Sequence, residues 1–189
     1  MTTPPPSRTS TVGPTTTPRQ FVAHVATAEH LALILRWRDQ ASRWLASRGI
    51  DQWRRPWPDQ DTMVARILES VHAGTTWMVA PWDGAEPVAT VTIDYDADPQ
   101  LWLPEEITEP ALYLRRLMTS DDARCRGLGP RILDWAAERA RDAGDQWLRL
   151  DAYSTNTTLH AKYVAWGFTH VRTVEDLANP SGALFQRST

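Results

Sequence analysis

ALYLRRLMTSDDARCRGLGPRILDWAAERARDA, residues 111–143, joins two kinds of element across a short basic, glycine-containing connection. Ala111–Thr119 reads as a β-strand, dense in apolar and aromatic residues. Pro130–Ala143 reads as a helix with Ile132, Leu133, Ala136, Ala137 and Ala140 turned inward, and Gly144 follows as its stop. Between them lies RCRGLGPR, residues 124–131. Gly127 and Gly129 let the backbone approach a ligand, and the first amides of the following helix lack intrahelical partners. Those amides and the helix dipole favour an anion. Arg124 and Arg126 add positive charge there, so the segment reads as a cradle for a phosphate or pyrophosphate. A plain tight turn is the competing reading. The segment is not a P-loop, because no GxxxxGK[ST] occurs. A Rossmann dinucleotide loop fits poorly, because Ile132 stands where GxGxxG needs its third glycine.

Outward from this connection the elements alternate. Downstream, Trp147–Tyr153 reads as a strand and Asn156–Trp166 as a helix closed by Gly167, followed by strands at Phe168–Val174 and Gly182–Gln186. Upstream, Gln20–Ala26 reads as a strand. Thr27 caps a helix running to about Arg48, and Asp59–Ala73 reads as a second helix ended by Gly74. Thr75–Ala80 and Pro87–Tyr95 are strands around Asp83-Gly84, and 96–110, rich in acids and prolines, reads as a loop. The order β-α-α-β-β-β-α-β-α-β-β implies an α/β (α+β) fold, a mixed sheet flanked by helices. Residues 1–19 are Pro/Thr-rich and contain no aromatic, Leu or Ile. Such a stretch buries too little surface to offset its ordering entropy and reads as a disordered tail before one domain spanning 20–189.

The 189 residues are 42% apolar and 23% charged, ordinary for a globular chain with a sizeable core. A net charge of −3 argues against nucleic acid as a partner. The one cysteine, Cys125, excludes an internal disulfide and a cysteine zinc cluster, and the five histidines show no metal spacing. No apolar run is long enough to span a membrane and no secretory leader opens the chain, so the expected location is cytoplasmic. A homodimer is compatible with these features.

A second constellation gives the glycine connection its meaning. In Asn156-TTLHAKYVAW-Gly167-Phe168, Asn156, Leu159 and Tyr163 fall near one face of a helix. R-x-x-G-x-G after a strand, followed by N-x-x-L-x-x-x-Y-x-x-x-G-F, resembles the GNAT superfamily of acetyl-CoA-dependent N-acetyltransferases, over roughly residues 111–174. The resemblance implies a mostly antiparallel sheet of six to seven strands, splayed at its centre and flanked by about four helices. It implies acetyl-CoA as co-substrate, with no metal. The exposed strand edge at Leu117, Met118 and Thr119 would pair with the pantetheine arm. The backbone of Arg124, Cys125, Arg126, Gly127, Leu128 and Gly129 would hold the pyrophosphate, Asn156 would touch the arm, and Tyr163 would face the sulfur. Pro130 departs from the common pattern and removes one amide from the cradle.

Acetyl transfer needs a neutral amine. Presenting an alkyl amine unprotonated at pH 7 costs about 4–5 kcal/mol without a base. Tyr163 is the candidate acid for the departing thiolate. Asp151 is the candidate base, beside Glu105, Glu106, Glu109 or a water relay. The position where some family members carry a base falls on Tyr113, which cannot serve in the same way. Trp53, Trp57 and Asp51, in the loop between the first two helices, would suit a cationic amine through cation–π attraction; the plainer reading has these indoles plugging the core. The expected reaction is acetyl transfer to a primary amine of a small molecule by direct attack in a ternary complex. A protein N-terminal or lysine acetyltransferase and a non-catalytic acetyl-CoA-binding module are the alternatives.

Overall fold

The computed structural model describes residues 21–121, 126–175 and 180–189. The tail 1–19, Arg124 and Cys125 lie outside the described residues. Seven strands form one sheet in the order β1-β2-β3-β4-β5-β7-β6. They are β1 (Val22–Val25), β2 (Thr76–Ala80), β3 (Ala89–Asp94), β4 (Ala111–Thr119), β5 (Trp147–Ala152), β6 (Thr169–Thr173) and β7 (Ala183–Ser188). The helices are α1 (Leu31–Ala46), α2 (Gln60–His72), α3 (Pro104–Ile107), α4 (Leu128–Ala143) and α5 (Thr157–Ala165).

Two local rules set most boundaries. The side chain of Asp59 accepts from the Thr62 amide at 2.8 Å and starts α2. Gly144 closes α4 at φ +88°, a conformation that costs glycine least. The expected helix from Thr27 begins instead with a 3-10 turn, Ala28–His30, in which the Thr27 amide donates to His30 Nδ1. The expected loop 96–110 contains α3, with Pro104 in its first turn and the Glu106 carboxylate accepting from the Leu103 amide.

Strand alternation divides the core between two faces. Val91, Leu112, Leu114, Leu148, Leu150 and Phe185 pack with Ile132, Leu133 and Ala136 of α4. On the other face Met78 and Met118 pack with Ile34 and Trp37 of α1 and Ile67 and Val71 of α2. Full burial of a side chain such as Ile132 stabilises by about 1.5–3 kcal/mol.

The centre of the sheet opens. β4 and β5 run parallel and pair from Ala111↔Trp147 to Leu114↔Leu150, and there the pairing stops. β4 continues to Thr119, while β5 continues against β7. On its other side β4 bulges: Thr90 faces Met118 and Thr92 faces Arg115, so Arg116 and Leu117 together oppose Val91. Arg116 sits at φ +52°. The bulge turns β4 away where its partner strand is lost, and a cleft forms between the parted strands.

Candidate active site

The cleft collects side chains distant in sequence. Leu117, Met118 and Thr119 line it from the unpaired half of β4, and Asp151 and Ala152 from β5. Beyond Leu114 the β5-facing edge of β4 carries no ladder partner. A strand edge of this kind can accept an extended arm bearing amides.

Tyr163 reaches the cleft from α5. It is 7% exposed, with its ring against Trp166, Phe168 and Phe185 at centroid distances of 5.9, 5.7 and 5.5 Å. Burial, reinforced by the negative charge of Asp151, raises the phenol well above its ordinary pKa. Tyr163 therefore stays protonated at neutral pH and keeps a proton to donate. Asp151 lines the same cleft. Burial raises its pKa to about 6, opposed by the nearby Arg115 guanidinium. A carboxylate of that pKa is mostly ionised at pH 7 yet binds a proton far better than a solvated aspartate. The two groups are thus pushed into complementary states, a donor and an acceptor.

The phosphate cradle is partly described. Gly127 caps α4 in the left-handed region at φ +69°, and no side chain caps the helix there. Among the described residues no side chain accepts from the first amides of this sixteen-residue helix, as an anion site requires. Gly129 lines the cleft; a Cβ there would meet the Trp166 ring at 3.9 Å. The Leu128 side chain is buried in the core, so only its backbone can face a ligand. Arg126 is exposed. These features and the open edge of β4 fit a pyrophosphate joined to an extended amide arm.

Asn156 proves to have a structural task as well. Its Oδ1 accepts from the Leu159 amide at 3.1 Å, capping α5. Its Nδ2 donates to Gln52 Oε1 at 2.7 Å, across 104 residues of chain. Gln52 belongs to the α1–α2 loop and is buried. One residue earlier, the Asp51 carboxylate lies near the Tyr153 hydroxyl, whose pKa is raised by burial and by that negative charge. The α1–α2 loop is therefore clasped across the cleft to the β5–α5 junction. Trp53 and Trp57 line the cleft, Trp53 also touching the second core and Trp57 lying under the Arg66 guanidinium at 4.8 Å.

The remaining candidate bases are engaged elsewhere. Glu106 is ion-paired with Arg172 at 2.6 Å and Glu109 with Arg149, and neither they nor Glu105 line the cleft. Tyr113 is buried against Trp102, its hydroxyl accepting from Arg149 Nη1 at 3.3 Å. His160 does not line the cleft; it lies against Phe185, with Nε2 2.9 Å from the Tyr153 carbonyl. Among the described residues no group of three or more His, Cys, Asp or Glu could hold a metal, and no helix is long and apolar enough to cross a membrane.

Residues 37–168 match the model of the acetyltransferase (GNAT) family. The chain belongs to that family. The GNAT match covers the clasped loop, the parted strands and both helices of the cleft. YesJ, an uncharacterised N-acetyltransferase of Bacillus subtilis (strain 168), is 29% identical over 133 residues, covering 68% of this chain and 71% of YesJ. A GNAT family acetyltransferase from Listeria monocytogenes shares the fold, with a TM-score of 0.72 at 21% identity over 89% of this chain and 95% of its own. The PaiA N-acetyltransferase of Thermoplasma acidophilum, solved with coenzyme A, superposes with a TM-score of 0.59 at 15% identity, over 89% and 99%.

Three contributors to this site give little sequence signal: Gln52, Tyr153 and Arg116. Gln52 and Tyr153 act through partners far along the chain. Arg116 occupies a bulge that no glycine marks.

Proposed function

We propose that this GNAT enzyme transfers acetyl from acetyl-CoA to the amine of a small molecule, by direct attack within a ternary complex. The clasp carries this reading. The Gln52–Asn156 hydrogen bond bridges the cleft on its acceptor side, with Asp51 close to Tyr153 beside it. A peptide acceptor needs an open groove, which this bridge obstructs, whereas a compact amine fits beneath it.

In this reading Asp151 takes the proton from the incoming ammonium, and the neutral nitrogen attacks the thioester carbonyl. Tyr163 gives its proton to the departing thiolate as the C–S bond breaks. The β4 edge at Leu117–Thr119 and the α4 N-terminus, with Arg124–Gly129, hold the acetyl donor. Asn156 keeps α5 in register so that Tyr163 faces the sulfur. Trp53 and Trp57 wall the acceptor side. Residues 20–189 form the catalytic domain.

The test is mass spectrometry after incubation with isotopically labelled acetyl-CoA and either a panel of small amines or a panel of peptides with free N-termini and lysines. Labelled small amines are expected. Label appearing on peptides alone would establish a protein acceptor. Acetyl-CoA binding without any transfer would establish a non-catalytic module.

A further inference from the structure

We propose that the acceptor carries a carboxylate beside its amine, and that Arg116, assisted by Arg66, binds that carboxylate. The inference rests on the acetyltransferase reading above and names the chemical class of its acceptor.

Arg116 stands in the β4 bulge at φ +52°. A non-glycine side chain in the left-handed region is strained, and such residues gather at binding sites. Its side chain lines the cleft, and Nη1 donates to Ser70 Oγ of α2 at 2.7 Å. Among the described residues no carboxylate lies within ion-pair distance. Burial has lowered its pKa, a sign that the charge is underpaid by its surroundings. A half-buried guanidinium that feels Asp94 and Asp151 only at a distance, with no carboxylate of the described residues in direct contact, can take an anion.

The neighbourhood argues that this anion is part of the acceptor. Arg115, the adjacent cation, is already paired with Asp94 at 3.0 Å. Arg66, on the exposed face of α2, also lines the cleft, forms no ion pair among the described residues, and lies over Trp57. Arg116 and Arg66 repel one another, and an anion between them relieves this. Basic side chains outnumber acidic ones along the cleft, although the chain as a whole is at −3. Through Ser70, Arg116 is fixed to α2, which packs on the sheet face opposite α4. Arg116 also feels the charge of Asp151, so a carboxylate on Arg116 leaves the amine of the same small molecule facing the base. A planar guanidinium suits a planar carboxylate through two parallel hydrogen bonds.

The experiment compares kcat/KM for amino acids with free carboxylates against their primary amides, using L-lysine with L-lysinamide and L-methionine with L-methioninamide. The amide lowers the α-amine pKa, so intrinsic reactivity favours the amide and any preference for the acid comes from binding. The wild type is expected to prefer the acid of at least one pair by about 10- to 100-fold, the worth of a charged hydrogen-bonded pair. Arg116→Met is expected to reduce that preference to about one, chiefly through KM, and Arg116→Lys to leave a fraction of it. Arg66→Met, at an exposed position, is expected to lower it about threefold with the fold intact. Coenzyme A affinity, read by calorimetry, should stay within twofold in Arg116→Met. Equal or better turnover of the amides by wild type overturns the carboxylate site and leaves the transferase reading standing. A preference unchanged in both arginine variants overturns it too, as does a tens-fold loss of coenzyme A affinity in Arg116→Met, which would assign that side chain to the co-substrate. Failure of every acid and amide in the panel also overturns it, and labelled acetyl on amines outside the panel then tells whether transfer itself survives.

Discussion

The two ends of the β4–β5 crossing treat charge in opposite ways. At the closed end Arg149 is 1% exposed yet well provided for. It bonds Glu109, the Glu106 carbonyl and the Tyr113 hydroxyl, contacts Gln186, and lies over the Trp102 ring at 4.8 Å. At the open end Asp151 is raised to about 6 and Arg116 is held by Ser70. A buried charge surrounded by partners is architecture. A half-buried charge left short of them is available to a ligand or a proton. The same four residues of strand pairing, Ala111–Leu114 with Trp147–Leu150, separate the two regimes.

Substitutions at each end should therefore read out differently. Tyr163→Phe keeps the ring and its packing, so melting should hardly move while kcat falls about 10²–10⁴-fold, the usual worth of a positioned acid. A near-normal kcat on a good acceptor would make the hydroxyl a bystander. Arg149→Met is the counterpart at the closed end. Its loss should cost about 3 kcal/mol in denaturant unfolding, the lower end for a broken buried pair, because Glu109 is 44% exposed and can rehydrate. Turnover per folded molecule should survive; its collapse would show that the closed end also shapes the chemistry. Gly129→Glu places a carboxylate beside Trp166 in the cleft. Wild type at a hundredfold excess of acetyl-CoA over Kd should gain about 2.7 kcal/mol, a rise of roughly 5–10 °C in Tm. The variant should show none. An undiminished shift would place the co-substrate elsewhere.

The smallest effect is a matter of slope. With Asp151 taking the proton from the ammonium, log kcat/KM should rise with a slope of one below about pH 6 and level off above it, whereas amine deprotonation alone would carry a slope of one on toward the amine pKa. Asp151→Asn should keep a slope of one at a lower rate. Stability gives an independent check with its own sign. Because the folded pKa of Asp151 lies above its unfolded value of 3.8, the folded state holds the extra proton between these values, and stability falls as pH rises through about 6. Asp151→Asn should melt above wild type at pH 8, with the gap closing below pH 4. A variant less stable at pH 8 would show that the ionised carboxylate has partners enough.

Much of this fold is legible because each element closes on local rules. β4 ends where the apolar run ends, and Gly74, Gly144 and Gly167 each take positive φ just beyond a helix. Tyr163 is legible from spacing within a single helix. The reading weakens wherever contacts are made at a distance. α3 hides among prolines and acids because its support is Glu106 pairing with Arg172, 66 residues away. Arg149 reads as an anomaly in an apolar strand until Glu109 and Trp102 are placed around it. Arg116 looks like its neighbour Arg115, and only pairing with β3 reveals that one faces Asp94 and the other lies in the bulge.

The α1–α2 loop is secured mainly by its peptide groups. Arg38 donates from Nη2 to the carbonyls of Trp53 and Arg55 at 3.2 and 3.5 Å, and Ser42 donates to the same Trp53 carbonyl at 3.0 Å. Carbonyl oxygens are common to every residue, so these anchors survive changes of side chain. Trp57, Arg54 and Arg55 can therefore be exchanged through mutation with little loss of loop shape, while position 53, at φ +63°, is best exchanged for Asn or Gly. Evolution can thus rewrite the proposed acceptor wall by point substitution, and an engineer seeking a new acceptor would randomise 54, 55 and 57 while leaving Arg38 and Ser42 untouched.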